Sequence, residues 1–139
     1  QGLSVLTCDL NMLKKVNDQR GHAAGDQYII SLARLLVERF KDRGETYRTG
    51  GDEFATLLRD VDVAALRAEM DELHGRALHI SVAGFPLFFA YGIASFDPER
   101  DADIHATLTR ADAEMYAHKR ALKQKGEREE AEDADRNIT

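Results

Sequence analysis

The residues best suited to chemistry are acids: Asp9, which follows the apolar run of Leu3, Val5 and Leu6, and Asp52 with Glu53 inside Gly50-Gly51-Asp52-Glu53. An acid at the C-terminal end of a buried strand and a second pair in a turn can meet at one end of a sheet, provided their strands are neighbours. Hard carboxylate oxygens suit Mg²⁺, which accepts one or two carboxylates and backbone oxygens, keeps positions for water and substrate phosphates, and rarely sits in an all-protein cage. The glycines point the same way, because a main chain without Cβ can approach a bulky anion and offer N–H donors. An ordinary hairpin tip with solvated acids is the alternative, and a short motif alone separates the two poorly.

Positioning those acids requires particular elements. Leu3, Val5 and Leu6 predict a buried strand that delivers Asp9 at its end. From Asp26, the residues Ile29, Ile30, Leu32, Ala33, Leu36, Val37 and Phe40 recur at helical spacing, with Gly44 as the stop and Asp26 after Gly25 as a candidate N-cap. Tyr47-Arg48-Thr49 and Phe54-Ala55-Thr56-Leu57-Leu58 flank the glycine pair and predict a hairpin. Asp62 reads as the N-cap of a helix striped by Val63, Leu66, Met70 and Leu73 and stopped near Gly75. His79–Val82 and Leu87–Ala94 predict a strand pair, with Gly84 and Pro86 as turn material. A last helix from about Asp103 to Lys123 carries Ile104, Leu108, Ala111, Met115 and Leu122 on one side and ends among basic residues, as the helix dipole favours. These elements predict an α+β domain: a central, mostly antiparallel sheet flanked by helices.

Composition sets the outer bounds. The 139 residues are 43% hydrophobic and 32% charged, with 19 Lys and Arg against 25 Asp and Glu, a net charge of −6. That predicts one soluble globular domain, over residues 1–126. Residues 127–139 hold six acids and two arginines and predict frayed helix or disorder, since Ile138 alone cannot offset the ordering entropy. The acidic balance argues against a nucleic-acid partner, and no apolar run approaches the roughly 18 residues of a membrane span. The single cysteine, Cys8, fits a reducing cytoplasm and reads as a small buried side chain. A first residue of Gln1 rather than Met suggests a piece of a longer polypeptide.

Taken together, Asp9-Leu10-Asn11-Met12-Leu13-Lys14-Lys15-Val16-Asn17-Asp18, then Gly21-His22, Gly25-Asp26 and Arg48-Thr49-Gly50-Gly51-Asp52-Glu53-Phe54 resemble a GGDEF domain. Tyr91-Gly92-Ile93-Ala94 and Ala111-Asp112-Ala113-Glu114-Met115-Tyr116-Ala117-His118-Lys119 extend the resemblance to about residue 123. It implies a diguanylate cyclase, which condenses two GTP into cyclic di-GMP with release of two pyrophosphates, on a fold similar to the nucleotide cyclases and the polymerase palm. Asp9 and Glu53 would then be metal-binding carboxylates for Mg²⁺ or Mn²⁺, with the Leu10 carbonyl as a further ligand. Asp52 would serve as metal or catalytic acid/base partner beside Glu53, either of the two acids holding either ion. Gly50 and Gly51 would line the nucleotide, and Lys14, Lys119 and Lys123 would contact phosphates.

Asn17 and Asp26 match the guanine-contacting positions. A carboxylate at Asp26 accepts from the N1–H and N2 amino group of guanine, whereas adenine would leave it facing a bare acceptor; unpaired polar groups of this kind produce discrimination on the order of 10⁴ or more. Asn17 taken by itself is unremarkable turn material.

The sequence departs from the family pattern in places. Lys123 stands where an arginine is usual, keeping the charge but losing the guanidinium fork, and Leu122 replaces a usual glycine. Asn11 and Leu13 stand where many relatives have aspartate and phenylalanine. His22 matches a family histidine and reads as structural, and Arg48 supports either phosphates or an ion pair. Arg39-Phe40-Lys41-Asp42 spells the Arg-x-x-Asp of an inhibitory product site but lies two residues too far from Gly50, so no standard site is expected.

The resemblance implies a two-fold homodimer for catalysis, because each domain holds one GTP and the reaction joins two. It also implies a helix ahead of the first strand, which this sequence lacks, an upstream sensory or regulatory domain, and a cytoplasmic location with no membrane contact by this domain; any anchor would lie in regions outside it. A non-catalytic GGDEF module that binds GTP or a protein partner is the rival, and an adenine-accepting relative a third reading that Asp26 counts against.

Overall fold

A computed structural model describes residues 2–138. Strands β1 (Leu3–Leu10), β2 (Gly44–Arg48), β3 (Glu53–Arg59) and β6 (Phe89–Ser95) form one sheet in the order β2-β3-β1-β6. Every pairing in it is antiparallel. β4 (Ser81–Val82) and β5 (Phe85–Pro86) form a separate two-stranded arm. The helices are α1 (Leu13–Arg20), α2 (His22–Phe40), α3 (Val63–Ala77) and α4 (Ile104–Ile138).

Strand periodicity divides β1 into two faces, both covered. Leu6, Cys8 and Leu10 join Leu32, Leu36 and Phe40 of α2 and Leu66, Met70 and Leu73 of α3 in the main core. Val5 on the other face packs with Ala94 and Ala111, so α4 closes that side. Asp9 and Thr7 share this α4 face by alternation, as do their β3 partners Glu53 and Ala55. On β6, the face toward α4 carries Ala90, Gly92 and Ala94. A Cβ on Gly92 would lie 2.1 Å from the Ala111 carbonyl oxygen, so α4 rests directly on the strand.

The expected α+β architecture and the hairpin are present, and Asp62 caps α3 by accepting from the Ala64 N–H at 3.1 Å. Several local expectations are corrected. Leu13–Arg20 is helical, so Asn17 sits in α1 and not in a turn. The segment lacks an apolar stripe because Val16 is its sole buried residue. α2 starts at His22, with Gly21 at φ +90° as its N-cap, which leaves Asp26 inside the helix and not at its cap. Gly44 opens β2, because α2 has already ended at Phe40. α3 runs through Gly75 to Ala77. Phe89–Ser95 pairs with β1 and not with His79–Val82; a strand apolar on both faces is better buried beside the central strand than beside a two-residue arm. α4 continues past Lys123 as helix to Ile138, a stretch rich in Ala, Glu and Arg with high helix propensity, and Thr139 lies outside the described residues. No helix among the described residues is long and apolar enough to cross a membrane.

Candidate active site

The register of β1 on β3 sets Asp9 directly opposite Glu53. Directly opposed residues on one face of an antiparallel pair have Cβ atoms about 4.5–5.5 Å apart, so two carboxylates distant in sequence share one corner of the sheet. Asp9 is 4% exposed. Its Oδ2 accepts from Lys119 Nζ at 3.1 Å, and its Oδ1 is buried without a hydrogen-bond partner. Burial, then the charge of Asp52, pushes the Asp9 carboxyl up to about 6 against the pull of Lys119. Glu53 Oε2 accepts from the Tyr116 hydroxyl at 3.2 Å. Burial and the neighbouring Asp112 carboxyl push Glu53 up to about 7. Both acids therefore hold protons more tightly than free carboxyls do, the expected state of like charges crowded at a partly dry site.

The turn that carries Asp52 is held by its own main chain and by Arg48. Thr49 N–H donates to the Glu53 carbonyl at 2.9 Å, and Leu10 N–H donates to the Asp52 carbonyl at 3.2 Å, tying the turn to the end of β1. Arg48 donates to the carbonyls of Gly50 at 3.1 Å and Gly51 at 2.6 Å, which gives it a structural place in the turn. Neither glycine of the turn has a positive φ, and a Cβ on Gly51 would meet nothing within 4 Å. The protein's own packing thus makes no demand for glycine at 51.

The other sequence candidates fall into two groups. Lys119 joins the acids; Lys123 lies one helical turn further along α4 and is exposed. Lys14, Asn17 and Asp26 lie on α1 and α2, which β1 enters through a short link at its acid-bearing end. Lys14 and Asp26 are exposed, whereas Asn17 lies against Gly25 so closely that a Cβ there would be 1.7 Å from its Oδ1. Among the described residues none of these three forms a side-chain hydrogen bond or ion pair with Asp9, Asp52 or Glu53. Arg39 is drawn to Glu69 at 3.5 Å, which Arg43 also grips at 2.8 and 2.7 Å.

Two residues beside Glu53 were not singled out from the sequence: Tyr116, which donates to it, and Asp112, whose Oδ1 is buried without a partner. Their signal was present, since Asp112, Tyr116 and Lys119 recur at i, i+4 and i+7 on α4 and so share a helix face.

Among the described residues no group of three or more His, Cys, Asp or Glu could hold a metal ion by itself. The donor set that is present, two opposed carboxylates with an orphaned buried oxygen, fits a hard divalent cation that completes its shell with water and phosphate.

The family described as "Diguanylate cyclase, GGDEF domain" matches residues 1–125. Over 116 residues the chain is 37% identical to an uncharacterized 19.3 kDa protein of Streptomyces ambofaciens, a match covering 84% of this chain and 63% of that protein. Over 130 residues it is 32% identical to the diguanylate cyclase TpbB of Pseudomonas aeruginosa, covering 85% of this chain and 28% of the relative. The chain thus spans less than two thirds of either relative's length. Among solved structures it resembles the active GGEEF domain of a diguanylate cyclase from Vibrio cholerae, with a TM-score of 0.79, 28% identity, and coverage of 87% of this chain and 78% of the other. The GGDEF domain of TpbB superposes with a TM-score of 0.75 at 31% identity, covering 87% and 73%. The fold, the hairpin motif and these relatives lead to one conclusion: the chain belongs to the GGDEF family of diguanylate cyclase domains.

Proposed function

We propose that this domain condenses two GTP into cyclic di-GMP and two pyrophosphates, with two copies facing each other about a two-fold axis. The observation that carries the reading is the opposition of Asp9 and Glu53 across β1 and β3, with one buried Asp9 oxygen left unpaired. Asp9, Glu53 and the Leu10 carbonyl would hold Mg²⁺ or Mn²⁺, with Asp52 beside them. When bound, the cation supplies neutralisation of phosphate charge and a lower pKa for the attacking ribose hydroxyl.

The chain's own groups do the rest. Lys119 and Lys123, with Lys14 on α1, supply positive charge to the triphosphate. Gly50 and Gly51 leave room for it, which accounts for a glycine at 51 that internal packing does not require. Asn17 and Asp26 read the guanine edge, and the exposure of Asp26 on α2 leaves its carboxylate available for that. Each domain supplies one 3′-hydroxyl and one triphosphate, so two transfers between facing copies close the ring and release both pyrophosphates. The upstream sensory or regulatory module that would control this pairing, and the cytoplasmic setting that supplies GTP, belong to the same proposal.

The test is to hold two copies together by a fused dimerisation segment, supply Mg²⁺ with GTP, ATP or both, and weigh the products. Cyclic di-GMP from GTP alone is expected. GTP binding without any dinucleotide would make the domain a non-catalytic binding module, and mixed guanine–adenine products would remove Asp26 from base selection.

A further inference from the structure

β6 is an edge of the main sheet, since β1 is its sole neighbour there. Three of its backbone groups are nevertheless occupied by side chains of α4. Tyr91 N–H donates to His118 Nδ1 at 3.1 Å, and Ile93 N–H donates to Glu114 Oε1 at 3.2 Å. Arg110 Nη2 donates to the Ser95 carbonyl at 2.6 Å. The α4 residues recur every four positions, and their β6 partners every two in the opposite direction. Four helical residues rise about 6 Å and two strand residues about 6.8 Å, so helix and strand stay in step over three rungs. The direct seat of α4 on Gly92, midway between Tyr91 and Ile93, brings these side chains within reach.

We propose that Glu114 and His118 are positioning residues: standing in for a fifth strand on β6, they fix where α4 sits along the sheet and thereby hold Lys119 on Asp9. This rests on the assignment of Asp9 and Lys119 to the nucleotide site. His118 directly precedes Lys119, so a helix that slides or turns at His118 carries the lysine with it. Each rung is itself braced. Arg67 pairs with Glu114, Arg110 grips Asp101 at 3.0 and 2.6 Å, and the His118 ring packs 5.0 Å from that of Tyr91. Acceptance by Nδ1 requires a neutral imidazole protonated at Nε2, and burial pushes His118 in that direction. Simple shielding of the sheet edge from other strands would need the same contacts but would leave Lys119 indifferent to them.

The whole chain is compared with His118→Gln, which keeps an acceptor for the Tyr91 N–H, and His118→Leu, which fills a similar volume without one. Lysine acylation followed by mass spectrometry reads Lys119 in the absence of nucleotide. Lys119, with its side chain 34% exposed in contact with Asp9, reacts slowly in the parent and in the Gln variant. In the Leu variant it reacts about fivefold faster, the equivalent of one net hydrogen bond, while Lys14 is unchanged. Equal Lys119 reactivity in folded Leu and Gln variants overturns the proposal. Amide hydrogen exchange of the unaltered chain is the second measurement: Tyr91 and Ile93 are expected to be protected, and free exchange at both overturns it even where the Leu variant does not fold. Binding of Mg²⁺ with GTP to the parent separates the two claims. Its absence defeats the nucleotide site, whereas the labelling and exchange results decide the helix lock by themselves.

Discussion

Lys119 reaches back across 110 positions of sequence to set its ammonium 3.1 Å from Asp9 Oδ2, while Oδ1 of the same carboxylate stays buried and unpaired. One half of the acid is paired from within the chain, and the other half is the oxygen that the proposed cation would take. Two faces of β1 make this arrangement: Leu6, Cys8 and Leu10 go to α2 and α3, and Asp9 shares with Val5 the face under α4.

Removing that ammonium exposes the cost of the buried acid. The Asp9 carboxyl lies at about 6, above its ordinary value near 3.8, so the folded chain holds this proton more tightly than the unfolded one. Stability from this group is therefore highest below about pH 4 and declines as pH rises through 6. Lys119→Met pushes the carboxyl higher still and deepens the decline. The variant is expected to melt below the parent at pH 8 and close to it at pH 4, and to bind GTP roughly tenfold or more weakly through loss of a charged phosphate contact. Melting curves at the two pH values check the first part; an equal deficit at both would detach Lys119 from Asp9.

Glu53 behaves the same way with a different partner. Its carboxyl sits at about 7 against an ordinary 4.5, so deprotonation between those values weakens the apo fold, and the whole penalty is present at pH 8. Glu53→Gln removes the charge and little volume. Without divalent cation the variant should melt above the parent at pH 8, and the difference should vanish near pH 4. Mg²⁺ should raise the parent's melting temperature and leave the variant's unmoved, and turnover should be lost. Scanning calorimetry with and without Mg²⁺ decides this; a full Mg²⁺ response in the variant removes Glu53 from the cation site.

Much of this corner was legible in the residues. The short apolar run before Asp9 and the β-type residues around Gly50-Gly51 specify a strand end and a hairpin tip, and one antiparallel register then brings their acids together. α1 was not legible, because a helix with Val16 as its single buried residue shows no stripe. Glu114 and His118 escaped for another reason. Apolar periodicity assigns polar helix residues to solvent, whereas these two face the backbone of a strand more than 20 positions away. The pairing of β6 with β1, across some 80 residues, depends on tertiary burial that no local pattern encodes.

In the proposed function base selection rests on Asp26, which is exposed on α2 and absent from the N-cap that local spacing suggested. Because it caps nothing, Asp26→Ala should change stability by no more than about 0.5 kcal/mol. Discrimination between GTP and ATP, on the order of 10⁴ when an unpaired carboxylate rejects adenine, should fall toward parity. Competition binding with the two triphosphates measures it, and undiminished preference for GTP would place guanine recognition elsewhere.

Two glycines give opposite outcomes that separate site from scaffold. A Cβ at Gly92 would meet the Ala111 carbonyl at 2.1 Å and the Met115 nitrogen at 2.5 Å, both backbone atoms of α4 that cannot rotate away. Gly92→Ala should destabilise the fold by about 1–3 kcal/mol and lift α4, and Lys119 with it, off the sheet. At Gly51 the same methyl meets nothing within 4 Å and φ is not left-handed, so Gly51→Ala should leave stability within about 0.5 kcal/mol of the parent. If a triphosphate lies against this turn, the methyl displaces it by about an ångström and turnover falls on the order of 100-fold. Denaturant melts paired with product assays distinguish the cases. A Gly51→Ala protein with normal stability and normal turnover would show that the nucleotide does not approach the turn.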